Sequence, residues 1–212
     1  MDLGEIYDGV LRGDEASVGR LVQEAVARGV EPEQIVTGQL IPAMEEVGAR
    51  FEREEFFVPE MLLAARAMQS GLTVLKPLLR GRETGPAHRV VIGTVQSDIH
   101  DLGKNLVSIM LGGAGFEVTD LGADVSPERF VEAVRDQRPH IVGMSSLMTT
   151  TMVSMKRIVD ALTEADLRQD VKVIVGGAPL TQQYCDEIGA DGYAPDAWSA
   201  VKMAKELAGP WM

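Results

Sequence analysis

The sequence predicts a chain of two parts: a four-helix bundle, then an α/β unit built on a five-stranded parallel sheet. Three observations carry this. Apolar residues recur at spacings of three and four from Asp2 to about Leu79, the period of helices with one buried face. From Arg89 onward, short β-rich apolar runs alternate with helical segments, the pattern of a sheet covered by crossovers. Between them, "RGRETGPAHR" (Arg80 to Arg89) loses all periodicity and collects Gly, Pro and charge, as a linker does.

In the first part, Asp14 is placed to cap a helix running to Arg28, whose stripe is Val18, Leu21, Val22, Ala25 and Val26. Gly29 ends it. Pro32 suits the first turn of the next helix, with Ile35, Leu40, Ile41, Met44 and Val47 mainly on one side. Pro59 opens a long last segment, in which Met61, Leu62, Ala65 and Met68 read as bundle interior. In the second part the strands are "RVVIGTV", "FEVTDLG", "HIVGMSS", "VKVIVGG" and a weak fifth around "DGYAPD". The helices between and after them span roughly Gly103–Ala114, Pro127–Gln137, Thr150–Ala165, Thr181–Ile188 and Asp196–Leu207. Five such units favour the order 2-1-3-4-5, flavodoxin-like, with a switch point between the first and third strands. The domain boundaries expected are 1–80 for the bundle, 81–88 for the linker and 89–212 for the α/β unit.

Composition narrows the function classes. A net charge of -12 argues against a phosphate-backbone partner, so no nucleic acid is expected. The single cysteine, Cys185, permits neither an intrachain disulfide nor a cysteine-based metal cluster. The N-terminus is acidic where a signal peptide is basic, and no apolar run reaches spanning length; no membrane and a cytoplasmic location are expected.

In an open parallel sheet, ligands bind beyond the carboxyl ends of the strands near the switch point. "SDIHDLGKN" follows the first strand, "SSLMTTT" the third and "GGAP" the fourth. Asp98 and His100 are two apart, so in an extended segment they point the same way; the carboxylate can take one imidazole proton and leave the other nitrogen free for a metal. Gly103 lets a helix start close to a bulky ligand, hydroxyls at Ser145 and Thr149 to Thr151 can donate from the opposite wall, and Gly176 and Gly177 leave a slot beside the fourth strand. His88 and His140 read as satisfied polar groups. Asp101 reads as a first-turn acidic residue, and Thr150 or Thr151 as a helix N-cap. One histidine is an incomplete zinc or iron site, so a metal here should arrive already held by something else. No G-x-G-x-x-G follows the first strand, which excludes the usual nicotinamide or flavin fingerprint.

Asp98-Ile99-His100-Asp101-Leu102-Gly103 resembles the D-x-H-x-x-G motif of cobalamin-binding domains, Ser145-Ser146-Leu147 their S-x-L motif, and Gly176-Gly177 their final GG. The helical first part, with "RFEREEFFVPEMLLAARAM", is similar to the cap preceding such domains in methionine synthase and in small corrinoid proteins of methylamine and methanol methyltransferase systems. The resemblance implies a base-off, histidine-on corrinoid with His100 as lower axial ligand to cobalt. Asp98 and Thr151 would complete a relay, Thr151 standing where methionine synthases carry serine. It implies that Ile99, Asp101 and Gly103 adjoin the cofactor, that Thr149 lies beside the ring, and that Ser145, Leu147, Gly176, Gly177 and Ala197 line the slot for the displaced nucleotide tail. Phe51 and Val58 would shield the upper face, with Thr37 where methionine synthases have glutamate. The implied function is a methyl carrier that accepts a methyl group on Co(I) from a substrate-specific methyltransferase. It would donate the group from methyl-Co(III) to a second methyltransferase acting on a pterin or thiol, with a reductive activase to recover Co(I). On this reading the chain is a carrier subunit, not catalytic alone, and its linker acts as a hinge. The alternatives are an adenosylcobalamin mutase subunit, which typically lacks the cap, and a cobalamin-based sensor, which needs an effector module.

Overall fold

The computed structural model describes residues 2–79 and 88–209, so the expected hinge, apart from His88 and Arg89, lies outside the described residues. The chain divides into two compact units, Met1–Pro86 with Gly112–Gly115, and Ala87–Leu111 with Phe116–Met212.

The regular elements of the first unit are, among its described residues, all helices. Helices α1 (Gly4–Leu11) and α2 (Glu15–Ala27) are followed by α3 (Pro32–Ile35), a π-helical turn (Val36–Leu40) and α4 (Ile41–Glu52) in one continuous rod, then by α5 (Val58–Leu79). Asp14 caps α2 by accepting the Ser17 N–H at 3.0 Å, and hydrogen bonding from the Ser17 side chain first and its N–H second holds the Asp14 carboxyl below its usual range. The stripe Val18, Leu21, Val22 and Ala25 is buried, as are Ile35, Leu40, Met44 and Val47 on the next rod and Met61, Ala65 and Met68 on α5. Closeness is needed where α2 meets α5: a side chain on Gly71 would press on Val18, Val22 and Leu40 at 3.2 to 3.4 Å. The π turn has a cause in sequence. Pro42 has no N–H to give the Gly38 carbonyl and its ring crowds that carbonyl, so the chain widens and the Ile41 N–H bonds back to Val36 O.

The second unit holds five parallel strands, β1 (Arg89–Thr94), β2 (Glu117–Asp120), β3 (Ile141–Ser145), β4 (Lys172–Gly176) and β5 (Gly192–Ala194), in the order β2-β1-β3-β4-β5. This is the expected topology. Parallel neighbours require crossovers, supplied by α6 (Leu102–Gly113), α7 (Pro127–Gln137), α8 (Thr149–Glu164) and α9 (Gln182–Ile188), with α10 (Ala197–Ala208) closing the unit. Val91, Val142, Met144, Val173 and Val175 from the sheet pack with Phe130, Met155, Ile158 and Leu162 in one core. Each such side chain contributes about 1.5–3 kcal/mol by leaving water. The caps of α7, α9 and α10 are Ser126, Thr181 and Asp196, which accept the N–H of Arg129, Tyr184 and Ser199. The cap expected at Thr150 or Thr151 is absent: α8 starts at Thr149 after Met148, which offers no side-chain acceptor, and the Thr151 hydroxyl is used elsewhere. In register, Thr94 pairs with Ser145 and Ser145 with Gly176, so the carboxyl ends of β1, β3 and β4 stand side by side. That row positions the site.

Candidate functional site

Beyond that row lies a carboxylate closed to water. Asp98 is 0% exposed, and a buried carboxylate is tolerated only with partners. Its Oδ1 accepts the His100 N–H at 3.0 Å and faces His100 Nδ1 at 2.8 Å. Its Oδ2 accepts the Leu147 N–H at 2.8 Å and the Thr151 hydroxyl at 2.7 Å, with the Ser146 hydroxyl at 3.2 Å. Burial by itself would raise the carboxyl's pKa. The hydrogen bonds from the His100 N–H, Thr151, the Leu147 N–H and the His100 ring together outweigh it and hold Asp98 well below the usual carboxylate range. The group is therefore an anion, and an acceptor only.

That fixes the imidazole. Facing an ionised carboxylate, Nδ1 is the donor, so in the neutral ring Nε2 is the nitrogen whose lone pair is left for a metal. The side chain is 46% exposed, and among the described residues no group pairs with Nε2. The expected strand-like alternation is not what joins the two residues. Ser97 is left-handed, with φ +68°, Asp98 N–H turns back to Val95 O at 3.1 Å, and the Asp98 side chain folds onto the His100 N–H in a short turn of its own. Thr94 Oγ1 donates to His100 O at 3.2 Å and ties the loop to β1.

The other expected site residues are distributed unequally. Thr151 joins Asp98 directly, and Leu147 does so through its backbone. Among the described residues the Ser145 hydroxyl does not reach Asp98, and Thr149 is exposed at the start of α8. The serine that does reach Asp98 is Ser146, 0% exposed and 2.8 Å from Thr151 Oγ1. Sequence reasoning missed it, although a buried carboxylate beside two adjacent serines calls for one of them to turn inward. On their Cβ side, Gly176 and Gly177 face the chain itself. A Cβ on Gly177, whose φ is +135°, would lie 1.8 Å from Ser146 O, and one on Gly176 would lie 3.0 Å from Ala194 O. Gly177 lets the end of β4 approach the loop that carries Ser146, and Gly176 lets it lie close against β5. Gly103 is the opposite case, because a Cβ there meets nothing within 4 Å.

Ala197 is 8% exposed at the start of α10, and Asp101 uses its carbonyl to accept the Asn105 N–H at 2.8 Å. Lys104, without a role from sequence alone, is 2% exposed and pairs with Asp120 and with Asn105 Oδ1 at 2.7 Å. In the first unit, Phe51 is half-buried on α4 and Val58 is exposed at the start of α5.

The chemistry of this donor set is specific. Among the described residues no three His, Cys, Asp or Glu side chains gather to hold a metal ion. One oriented imidazole nitrogen suits a metal that brings its other ligands with it. The surroundings suit a large apolar ring: Ile99 and Leu102 are 77% and 86% exposed, and Leu147 and Met148 are exposed beside them. Large apolar groups grouped on a surface mark a binding face.

Comparison with known proteins agrees. Residues 88–202 and residues 3–76 each match a family described as B12 binding domain. The chain is 42% identical to trimethylamine corrinoid protein 1 of Methanosarcina acetivorans over 207 residues, covering 97% of this chain and 96% of that one. A cobalamin-binding protein from Desulfitobacterium hafniense superposes with a TM-score of 0.81 at 33% identity, covering 98% and 99% of the two chains. A chain of the methanol:cobalamin methyltransferase complex MtaBC from Methanosarcina barkeri gives 0.84 at 29% identity, covering 97% of this chain and 79% of that one. A polypeptide that matches corrinoid proteins from end to end, and sets one free imidazole nitrogen among exposed apolar side chains, belongs to the B12-binding family and takes a corrinoid as its cofactor.

Proposed function

We propose that this chain is a methyl carrier, a corrinoid protein that shuttles a methyl group between two methyltransferases. When bound, the corrinoid supplies the cobalt centre that carries the group. The residues of the chain hold that centre. His100 Nε2 would hold the cobalt in a base-off, histidine-on complex, and Asp98 fixes the imidazole's tautomer and direction. Thr151 and Ser146 keep Asp98 charged and still. Ile99, Leu102, Leu147 and Met148 exclude water from the ring's lower face, with Asp101, Gly103 and Thr149 beside it. The backbone at Ser145, Leu147, Gly176 and Gly177, with Ala197, lines the path of the nucleotide tail. Residues 1–80 act as the cap, through Phe51 and Val58, and are joined over 81–88 to the corrinoid-binding domain.

The observation that carries this reading is the fully buried Asp98 anion locking a half-exposed imidazole whose second nitrogen is left to a metal. The relatives named for methylamines favour a methylated amine as donor to the loading enzyme. A pterin or thiol methyltransferase and a reductive activase complete the partners, in the cytoplasm. Reconstitution with hydroxocobalamin tests it. One equivalent binds, the Co(II) form shows hyperfine splitting from an imidazole nitrogen, and the splitting vanishes in His100→Ala. A complex that keeps benzimidazole on cobalt sinks the axial assignment. Once methylated, the protein gives up its methyl group only to an added methyltransferase; rapid unassisted transfer to a free thiol contradicts the carrier role.

A further inference from the structure

The loop that carries His100 is held by a second loop, residues 121–125, that the site chemistry above does not use. One residue from each loop meets the other in one place. Ser97 and Asp124 are both non-glycine residues in the left-handed region, with φ +68° and +54°. An L side chain adopts that conformation reluctantly, so two in contact call for a cause. They are bonded through each other. The Ser97 N–H donates to Asp124 Oδ1 at 2.8 Å, and the Asp124 N–H donates to Asp98 O at 2.9 Å. Just behind them, Thr94 N–H donates to Gly122 O and Val125 N–H donates to Thr94 O, each at 3.0 Å, so the two loops are laced together where β1 ends.

The geometry leads from this clamp to the imidazole in two bonds. Ser97, in its left-handed conformation, gives its N–H to Asp124, and the next residue, Asp98, is fully buried. The same Asp98 whose carbonyl is held by Asp124 holds the His100 ring with its carboxylate. We propose that Asp124 is a positioning residue for the axial ligand: it fixes the loop conformation at Ser97 and Asp98 that presents His100 Nε2 outward. The assignment rests on the reading of His100 as the cobalt ligand. Asp124 touches neither the imidazole nor the ring's apolar bed, and its side chain is exposed, so its action is through the backbone alone.

Three variants of the full chain separate the clamp from general stability. Asp124→Asn keeps the acceptor and tolerates the left-handed backbone. Asp124→Gly accepts the backbone at no cost and removes only the acceptor, and Asp124→Ala opposes both. In the corrinoid-free protein, amide hydrogen exchange at Ser97 and His100 is expected to quicken about fivefold in Asp124→Gly, the scale of one lost exposed hydrogen bond, and to stay at wild-type rate in Asp124→Asn. With hydroxocobalamin as probe, Asp124→Gly and Asp124→Ala bind about fivefold more weakly, with a larger benzimidazole-ligated fraction, and Asp124→Asn binds as the wild type does. Unchanged exchange in Asp124→Gly overturns the proposal, as do equal losses in Asp124→Asn and Asp124→Gly, or losses that only track the urea midpoint. If wild-type protein shows no imidazole ligation, the carrier reading fails, and the amide exchange still decides whether Asp124 holds the loop.

Discussion

The Thr151 hydroxyl donates to Asp98 Oδ2 at 2.7 Å, in a pocket where Asp98 has no exposure and Thr151 has 4%. A donor removed from a buried anion is not replaced by solvent. Thr151→Val keeps the shape and deletes the donor, and is expected to destabilise the second unit by about 1–3 kcal/mol in urea denaturation. Thr151→Ser keeps the hydroxyl and should stay within about 1 kcal/mol of wild type. Equal midpoints for Val and wild type would mean that Ser146, 3.2 Å from the same oxygen, already suffices.

Asp98→Asn changes only charge and one atom, yet every group around Oδ2 is a donor. The Leu147 N–H, Thr151 and Ser146 converge there, so the new amide cannot satisfy both ends. If its oxygen faces them, its NH2 faces the His100 N–H and ring instead. Either orientation leaves a buried donor against a donor. The expected loss is about 1–3 kcal/mol in apo stability, with weakened imidazole ligation of hydroxocobalamin read from its absorption spectrum.

Lys104 and Asp120 form an ion pair buried at one end only: the lysine side chain is 1% exposed and the aspartate 36%. Removal of the two partners is therefore unequal in cost. Asp120→Ala strands a buried ammonium with, among the described residues, Asn105 as its remaining partner, and also frees the Gly122 N–H that Asp120 Oδ1 accepts. Its expected cost is about 3–5 kcal/mol. Lys104→Met fills the same space with an apolar chain and leaves Asp120 to solvent, and should cost well under half as much. Equal urea midpoints for the two variants would show that the pair carries no such asymmetry.

His140 gives stability a pH dependence of known sign. Its Nδ1 accepts the Arg89 N–H at 3.1 Å, its ring lies 4.9 Å from that of His88, and burial, His88 and Arg89 all push its pKa below the ordinary histidine value. The unfolded chain therefore takes the proton first. The contribution is complete above the unfolded value, about 6.5, and is lost as pH falls through the folded value. Stability measured by urea from pH 8 to 5 should decline on the acid side. His140→Asn, which offers an uncharged acceptor, should flatten that decline, and an unaltered slope contradicts the assignment.

Much of the fold was legible because its cause is periodic. Val90 to Val95 and Ile141 to Met144 read as buried parallel strands from apolar content alone, and their order follows from the crossovers. Asp98, His100 and Thr151 were legible as types in suitable places. Ser146 was not, because Ser145 and Ser146 are chemically identical and which of them faces Asp98 depends on how the chain leaves β3. Lys104 and Asp120, sixteen positions apart, become partners only once β2 lies beside β1. The π turn at Val36–Leu40 also escaped: its cause is Pro42, which lies inside a helical stripe that runs unbroken from Ile35 to Val47.

Gly103 and Gly177 should respond oppositely to alanine. At Gly177 the new Cβ would sit 1.8 Å from Ser146 O, on backbone that cannot yield as a side chain tip does, and at φ +135°. Gly177→Ala must displace the loop that gives Asp98 two of its donors, and is expected to unfold the second unit or lower its stability by more than about 3 kcal/mol. At Gly103 the Cβ meets nothing and the residue lies inside the first turn of α6, so alanine should leave apo stability unchanged or raise it by up to about 1 kcal/mol. If a corrinoid packs against that open space, the same methyl group intrudes on it. Hydroxocobalamin affinity should then fall about tenfold or more in a chain that is no less stable, a combination that a purely structural role for Gly103 cannot produce.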